Sequence, residues 1–367
     1  MLRRRAPPYP TAGNHVMTQD VINIGDREIG PGRAPYIVAE MSGNHNGDIG
    51  RALALVDAAK ASGADAVKLQ TYTADTITLD VDGPGFRVEG GLWDRRRLYD
   101  LYVEAHTPWA WHETLFQHAR DVGIQIFSSP FDFSAVDLLQ SLDAPAYKIA
   151  SFELVDIPLI RRCAQSGKPL VMSTGLATED EIALAVSEAR AAGASGLILL
   201  HCTSAYPAPL SSMNLLTLPH LAGKFDVCAG LSDHTMGTAA SVAAVALGAC
   251  FIEKHFCLSR AEGGVDSAFS LEPDELARLV VDCRAAAEAL GEIRYGPTPA
   301  EISSRDHRRS LYIAEDVAAG DLLTPKNVRS VRPGFGLAPR HLDAVLGKRA
   351  VRSAAKGTPL SWDLISD

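Results

Sequence analysis

Several features are scarce in this chain of 367 residues, and each absence removes a class of explanation. Basic charge is in deficit: 35 Lys and Arg stand against 44 Asp and Glu, a formal net charge of −9. Phosphate backbones demand a clustered basic surface, so nucleic acid is not an expected partner. No run approaches the ~18 consecutive apolar residues of a membrane span, so no membrane partner is expected either. The opening Met1-Leu-Arg-Arg-Arg-Ala-Pro-Pro8 is basic, but no apolar stretch follows it. No secretory signal is therefore expected, and residues 1–20 read as a disordered extension or the product of an upstream start. Cysteine is sparse: Cys163, Cys202, Cys228, Cys250, Cys257 and Cys283 form no C-x-x-C pair, and several lie in apolar runs. Core thiols in a reducing cytoplasm are expected, rather than disulfides or a structural zinc. What is present, 47% hydrophobic and 22% charged residues, is ordinary for a globular protein and excludes wholesale disorder.

Short apolar runs alternate with helical patterns from Tyr36 to about Leu290. The runs are Tyr36–Glu40, Ala64–Gln70, Ile124–Phe127, Ala146–Ile149, Leu170–Met172, Gly196–Leu200, Phe225–Ala229 and Cys250–Glu253. Between them lie stretches of helical period such as Ile49–Ala61, Trp111–Val122, Thr178–Ala192 and Ala239–Leu247. Gly63, Gly123, Gly193 and Gly248 stand where such helices would terminate. Eight βα units predict an α/β fold of the (β/α)8 TIM-barrel type, with its active site at the C-terminal strand ends. A doubly wound open sheet would want a Gly-rich phosphate turn after the first strand, and Ser42-Gly-Asn-His-Asn-Gly47 is not one. Residues 72–111 make a long, glycine-rich excursion that carries Arg95-Arg96-Arg97 and reads as a functional loop or lid. The barrel is expected over residues 21–292 and a linker over 293–307. A small β-rich domain is expected over 308–367, where short β-like pieces alternate with turns.

The strand ends are polar throughout. Strand one ends in Glu40, strand two in Lys68 and Gln70, strand three in Ser128 and Ser129. Strand four gives Lys148, Ser151 and Glu153, and strand five gives Ser173, Thr174 and Gly175. Strand six ends at His201–Ser204 with Tyr206 beyond, strand seven at Ser232, Asp233 and His234, strand eight at Lys254 and His255. Any single hydroxyl here could serve only a local hydrogen bond; a closed ring of such ends is the pattern of an active face. Lys68 and Lys148, ringed by small hydroxyls, predict a cationic pocket for a phosphate or carboxylate. His234 and His255, ending neighbouring strands, are candidate ligands for a divalent metal with positions left open. A Schiff-base aldolase using Lys148 or Lys68 as nucleophile is the rival chemistry.

These ends, in this order, resemble the N-acetylneuraminate (sialic acid) synthase family. The resemblance is carried by Ile37–Gly47, Ala64–Thr71, Pro145–Ser151, Met172–Gly175, Gly230–Thr235 and Glu253–Phe256. In the tail, Arg332-Pro-Gly-Phe-Gly336 and Ala355–Pro359 resemble the antifreeze-like (SAF) domain that closes these enzymes. Met41–Asn44, Leu69–Thr73, Leu92–Asp94 through Ala105–Trp109, and Gly263–Pro273 look most like the pseudaminic branch of the family. Ser267 stands where the neuraminate branch has histidine, Val265 where proline is common, and Ser204 where asparagine is frequent.

The resemblance implies a cytoplasmic transferase that condenses phosphoenolpyruvate with 2,4-diacetamido-2,4,6-trideoxy-altrose to give a nonulosonic acid and phosphate. Neuraminate and legionaminic relatives take mannose-type sugars instead. It further implies that His234 and His255 bind Mn²⁺ or Mg²⁺, and that Lys68, Gln70, Lys148, Ser151, Ser173 and Ser232 hold phosphoenolpyruvate. Glu40, Glu153, Tyr206 and Asp266 would face the sugar and metal-bound waters, with Glu40, Lys68, Lys148, Glu153 and Asp266 as the catalytic set. The partner subunit's Arg332 would reach the sugar's N-acyl group, which implies a domain-swapped homodimer.

Overall fold

The computed structural model describes residues 21–366; the extension expected over residues 1–20 lies outside the described residues. A short antiparallel hairpin, β1 (Ile22–Ile24) and β2 (Arg27–Ile29), comes first. Eight parallel strands follow: β3 (Tyr36–Glu40), β4 (Ala66–Thr71), β5 (Gln125–Pro130), β6 (Tyr147–Ile149), β7 (Leu170–Ser173), β8 (Leu197–Cys202), β9 (Cys228–Asp233) and β10 (Phe251–His255). They pair in sequence order, and β10 bonds to both β9 and β3, so the sheet closes into a barrel.

Alternation along each strand sorts the side chains into two cores. Ile37, Ala39, Val67, Leu69, Ile126, Ile149, Met172 and Leu199 point outward and pack against the surrounding helices. Tyr36, Val38, Ala66, Phe127, Ala146, Val171, Ile198 and Phe251 point inward and join Ile22, Ile24 and Ile29 of the β1–β2 hairpin in a second cluster. The barrel interior is thus filled with hydrocarbon toward its N-terminal end, which leaves polar side chains only at the opposite mouth. The helices between strands stop where the glycines stand. Gly123, for example, takes the left-handed conformation at φ 72° and caps the helix His112–Val122.

Most of the strands run further into the barrel mouth than expected, and two show the physical reason clearly. The run Phe225–Ala229 straddles two elements: Phe225 ends the helix Thr217–Phe225, Asp226 turns the chain at φ 50°, and β9 runs on to Asp233. Likewise β5 extends through Ser128 and Ser129 to Pro130. In both cases polar residues at the barrel mouth are laddered as strand, although they break the apolar run.

The 72–111 excursion is ordered, with helices Ala74–Ile77 and Leu98–Ala105. Between them is a hairpin-like segment in which Val88 N–H donates to Arg96 O (2.9 Å) and Arg95 N–H to Val88 O (2.8 Å). Arg95 pairs with Asp94 at 3.6 Å, Arg96 with Glu104, and Arg97 with Asp80 and Asp100, so all three arginines have carboxylate partners within the excursion.

The chain divides into two units between Gly291 and Glu292. In the second, β11 (Ser310–Ile313) pairs antiparallel with β12 (Val328–Val331) over a core that includes Leu311, Ile313, Leu323, Val328, Val345 and Leu360. Residues 293–307, expected as a linker, carry the short 3-10 turns Pro299–Glu301 and Ser303–His307.

Candidate active site

The top layer of inward-facing side chains is a buried charge cluster. Lys68 Nζ lies 3.0 Å from Glu40 Oε2 and 3.6 Å from Glu253 Oε1, and donates to Ser129 Oγ at 3.2 Å. Lys148 Nζ lies 3.1 Å from the same Glu253 oxygen, which also accepts the Ser232 hydroxyl at 3.1 Å. Gln70 Nε2 donates to Glu40 Oε1 (2.8 Å) and to Ser42 Oγ (3.1 Å). The expected cationic pocket is therefore corrected: the two lysines are matched by Glu40 and Glu253. Ammonium groups buried this deeply are too costly without counter-charges.

The four groups are not equivalent. Burial, reinforced by Glu253 and opposed by Lys68, pushes the Glu40 carboxyl up to about 7. Burial opposes ionisation of Glu253 too, yet Lys148 and Lys68 hold it down at about 2. Burial also lowers Lys148, against the pull of Glu253, whereas Glu253 and Glu40 outweigh burial at Lys68 and raise it. The permanent pair is Lys68 with Glu253; Glu40 is the member able to change charge near neutrality. Glu253 was not among the candidates read from the sequence. The available signal was parity: it lies two residues before His255 on one strand, and so on the same face.

His234 and His255 do meet at the mouth, with ring centroids 5.3 Å apart. His234 Nδ1 donates to Thr203 O at 3.1 Å, which leaves Nε2 as the nitrogen available to a ligand; burial opposes charge on this ring, but Cys202 and the Thr203 carbonyl outweigh it and raise His234. Burial, then the nearby His234, Lys68 and Lys148, keep His255 well below the ordinary imidazole range and hence neutral. Its Nδ1 is buried with no hydrogen bond, 3.6 Å from Asp266 Oδ2. Two imidazoles, of which His255 is held neutral with an unsatisfied buried nitrogen, beside a carboxylate fit a divalent cation that keeps open positions. Among the described residues no group of three or more His, Cys, Asp or Glu side chains gathers into a closed cage. Lys254, one of the polar strand ends, points outward, away from the pocket. Its Nζ is 2.8 Å from Asp233 Oδ2, an oxygen that also accepts the Ser241 hydroxyl at 2.7 Å, and the pair is fully buried behind the two histidines.

On the rim, Asp266 accepts the Ser42 hydroxyl, and burial raises its carboxyl despite that bond. Tyr206 stacks at 4.5 Å from the His234 ring. Ser173 Oγ is buried without a hydrogen-bond partner, and Ser151 Oγ accepts the Gly175 N–H at 3.2 Å. A Cβ at Gly175 would run into the hydroxyls of Ser151 and Ser204, so only glycine keeps this approach open. Thus the sequence candidates Glu40, Lys68, Gln70, Lys148, Ser151, Glu153, Ser173, Tyr206, Ser232, His234, His255 and Asp266 all belong to the barrel unit, at or just beyond the C-terminal strand ends. Arg332 lies in the second unit, exposed, directly after β12.

Glu153 has an unsatisfied Oε2, and burial pushes its carboxyl up from 4.5 to about 7. The folded protein therefore binds this proton more tightly than the unfolded chain, and stability is lost as pH rises through that window. Glu153→Gln should match the wild type at pH 4.5 and exceed it at pH 8 by on the order of 3 kcal/mol. Urea midpoints at the two pH values check this; an equal difference at both would remove Glu153 as the cause.

Comparison with known proteins follows the same outline. The NeuB family model matches residues 55–295 and the SAF domain model residues 308–366. A pseudaminic acid synthase of Campylobacter jejuni is 44% identical over 89% of this chain and 95% of its own length. A pseudaminic acid synthase of Helicobacter pylori is 43% identical over 90% of this chain and 97% of its own. Among solved structures, an N-acetylneuraminic acid synthetase of Leptospira borgpetersenii superposes with a TM-score of 0.71 at 31% identity, covering 79% of this chain and 96% of that one.

Proposed function

This chain belongs to the NeuB family, and from that premise we propose that it condenses phosphoenolpyruvate with 2,4-diacetamido-2,4,6-trideoxy-altrose. The products are a nine-carbon nonulosonic acid and phosphate. The observation that carries this reading is the coincidence, at one barrel mouth, of two buried lysines, matched by Glu40 and Glu253, with the His234–His255 pair.

In this reading Lys68, Lys148, Gln70, Ser151, Ser173 and Ser232 hold phosphoenolpyruvate. The lysines supply charge, while the hydroxyls orient the phosphate and carboxylate. A highly charged anion arriving beside Glu40 raises that carboxyl further, so Glu40 takes up a proton as the substrate binds. A divalent cation, Mn²⁺ or Mg²⁺, held by His234 and His255 would supply Lewis acidity toward the aldehyde oxygen. C3 of phosphoenolpyruvate attacks the aldehyde carbon, forming the new C–C bond and leaving positive charge at C2. The aldehyde oxygen takes the proton held by Glu40; water adds to C2 and gives up its proton to Glu153 or to the Glu40 carboxylate so formed, and the C2–O bond then breaks and phosphate leaves. Holding two small substrates in register supplies a large part of the rate. Tyr206 and Asp266 face the sugar, and the partner subunit's Arg332 reaches its N-acyl group across a domain-swapped homodimer. A cytoplasmic location belongs to the same reading, supported by six buried cysteines with no disulfide among them.

The test is phosphate release from phosphoenolpyruvate and Mn²⁺ with each candidate sugar in turn. Turnover of the altrose-configured sugar is expected, with activity lost to EDTA and no adduct trapped by borohydride. Turnover of N-acetylmannosamine with none of the altrose sugar would overturn the assignment, and a trapped lysine adduct would replace the mechanism with a Schiff base.

A further inference from the structure

We propose that Trp93 determines sugar specificity, its indole forming the outer part of an aromatic wall that receives the methyl-bearing end of a 6-deoxy sugar. The inference rests on the function proposed above and adds to it the residue that reads the far end of the substrate.

Moving outward from the histidine pair, the first rings met are Tyr206, 4.5 Å from His234, and Phe269, 4.8 Å from His255. Trp93 comes next, its indole 5.6 Å from Tyr206 and 6.3 Å from Phe269. Phe269 is 1% exposed and serves as backing, whereas Tyr206 and Trp93 are half-buried and keep ring surface uncovered. Trp93 belongs to the 72–111 excursion, yet its Nε1 donates to Val265 O at 2.9 Å, beside Asp266. The one polar atom of the indole is thereby satisfied, so the uncovered remainder is purely apolar. The carboxylate of the neighbouring Asp94 accepts the Gly90 N–H at 2.6 Å within the hairpin, so it does not compete for the sugar.

An open-chain hexose with its aldehyde at the histidines extends roughly 6 Å from C1 to C6, by ordinary single-bond lengths. That span carries the terminal carbon past Tyr206 to the level of Trp93. A methyl group loses nothing by facing an indole, whereas a hydroxymethyl group there would leave its hydroxyl without a partner.

The test is kcat/KM of the full-length enzyme for 2,4-diacetamido-2,4,6-trideoxy-altrose and for its 6-hydroxy counterpart, at saturating phosphoenolpyruvate. The wild type should prefer the deoxy sugar by about 10-fold or more, the usual reach of an apolar pocket. Trp93→Phe should keep most of that preference. Trp93→Gln should lower it to about threefold or reverse it, through KM for the sugar, with KM for phosphoenolpyruvate unchanged. A Trp93→Gln enzyme with the wild-type preference overturns the proposal. So does a loss of preference in both variants accompanied by an equal rise in both KM values, which marks a structural role only. A wild type that turns over neither sugar fails the functional reading itself, before any variant is compared.

Discussion

Replacing His234 by alanine is expected to lower phosphate release by about 10³-fold or more while the protein stays folded. The loss follows from what the ring does. The Thr203 carbonyl accepts from Nδ1, which leaves Nε2 as the nitrogen available to a cation, on a ring 5.3 Å from that of His255. Stability should survive because the elements that hold this end of β9 and β10 do not include the ring. Asp233 accepts the Thr235 N–H at 2.8 Å and pairs with Lys254 on the outer side of the barrel, and alanine disturbs neither contact. Thermal unfolding of the variant should fall within a few degrees of the wild type. Equilibrium Mn²⁺ binding supplies a readout independent of turnover and should weaken by more than 10-fold, roughly the effect of losing one ligand from a small set. A fully active His234→Ala enzyme would remove the histidine pair from the chemistry.

Glu253→Gln should show the second large effect, and its sign depends on whether substrate is present. In the unliganded protein the substitution leaves Lys68 and Lys148 with Glu40 as their remaining carboxylate. Breaking a buried pair from one side costs about 3–5 kcal/mol, and unfolding by urea should show a loss of that order. Phosphoenolpyruvate brings fresh negative charge to the same two ammonium groups, so saturating substrate should restore stability more in the variant than in the wild type. Melting temperatures with and without phosphoenolpyruvate measure the difference. A loss that the substrate does not recover would mean that Glu253 acts through packing rather than charge.

The barrel was legible in the sequence because its outer core repeats with the helices, and apolar runs of strand length recur between them. The mouth was legible only in part. Lys68, Lys148, His234 and His255 stood out as ionisable side chains at or near strand ends, whereas Glu253, which closes the run Cys250–Glu253, was passed over for the residues after it. Lys254 shows why parity matters: it sits at a strand end, but is turned away from the barrel axis toward Asp233. The charge of the pocket was misjudged because lysines counted along the sequence do not reveal their partners. The carboxylates opposite Lys68 and Lys148 come from β3 and β10, the seam where the barrel closes. Trp93 stood out only within the Leu92–Asp94 piece that resembles the pseudaminic branch, since an irregular excursion has no period from which to infer direction. A hydrogen bond to Val265, 172 residues away, and ring contacts with Tyr206 and Phe269 place it.

The central claim is that this mouth joins phosphoenolpyruvate to an aldehyde through C3 and then releases phosphate by breaking the C2–O bond. It is tested most directly by placing a heavy-oxygen label in the bridge between C2 and phosphorus, then weighing both products of one turnover with the altrose-configured sugar. The label should leave entirely with the phosphate, alongside one equivalent of nonulosonic acid whose C2 oxygen comes from solvent. Label retained at C2 of the sugar acid, with unlabelled phosphate released, would show cleavage at phosphorus and contradict the mechanism.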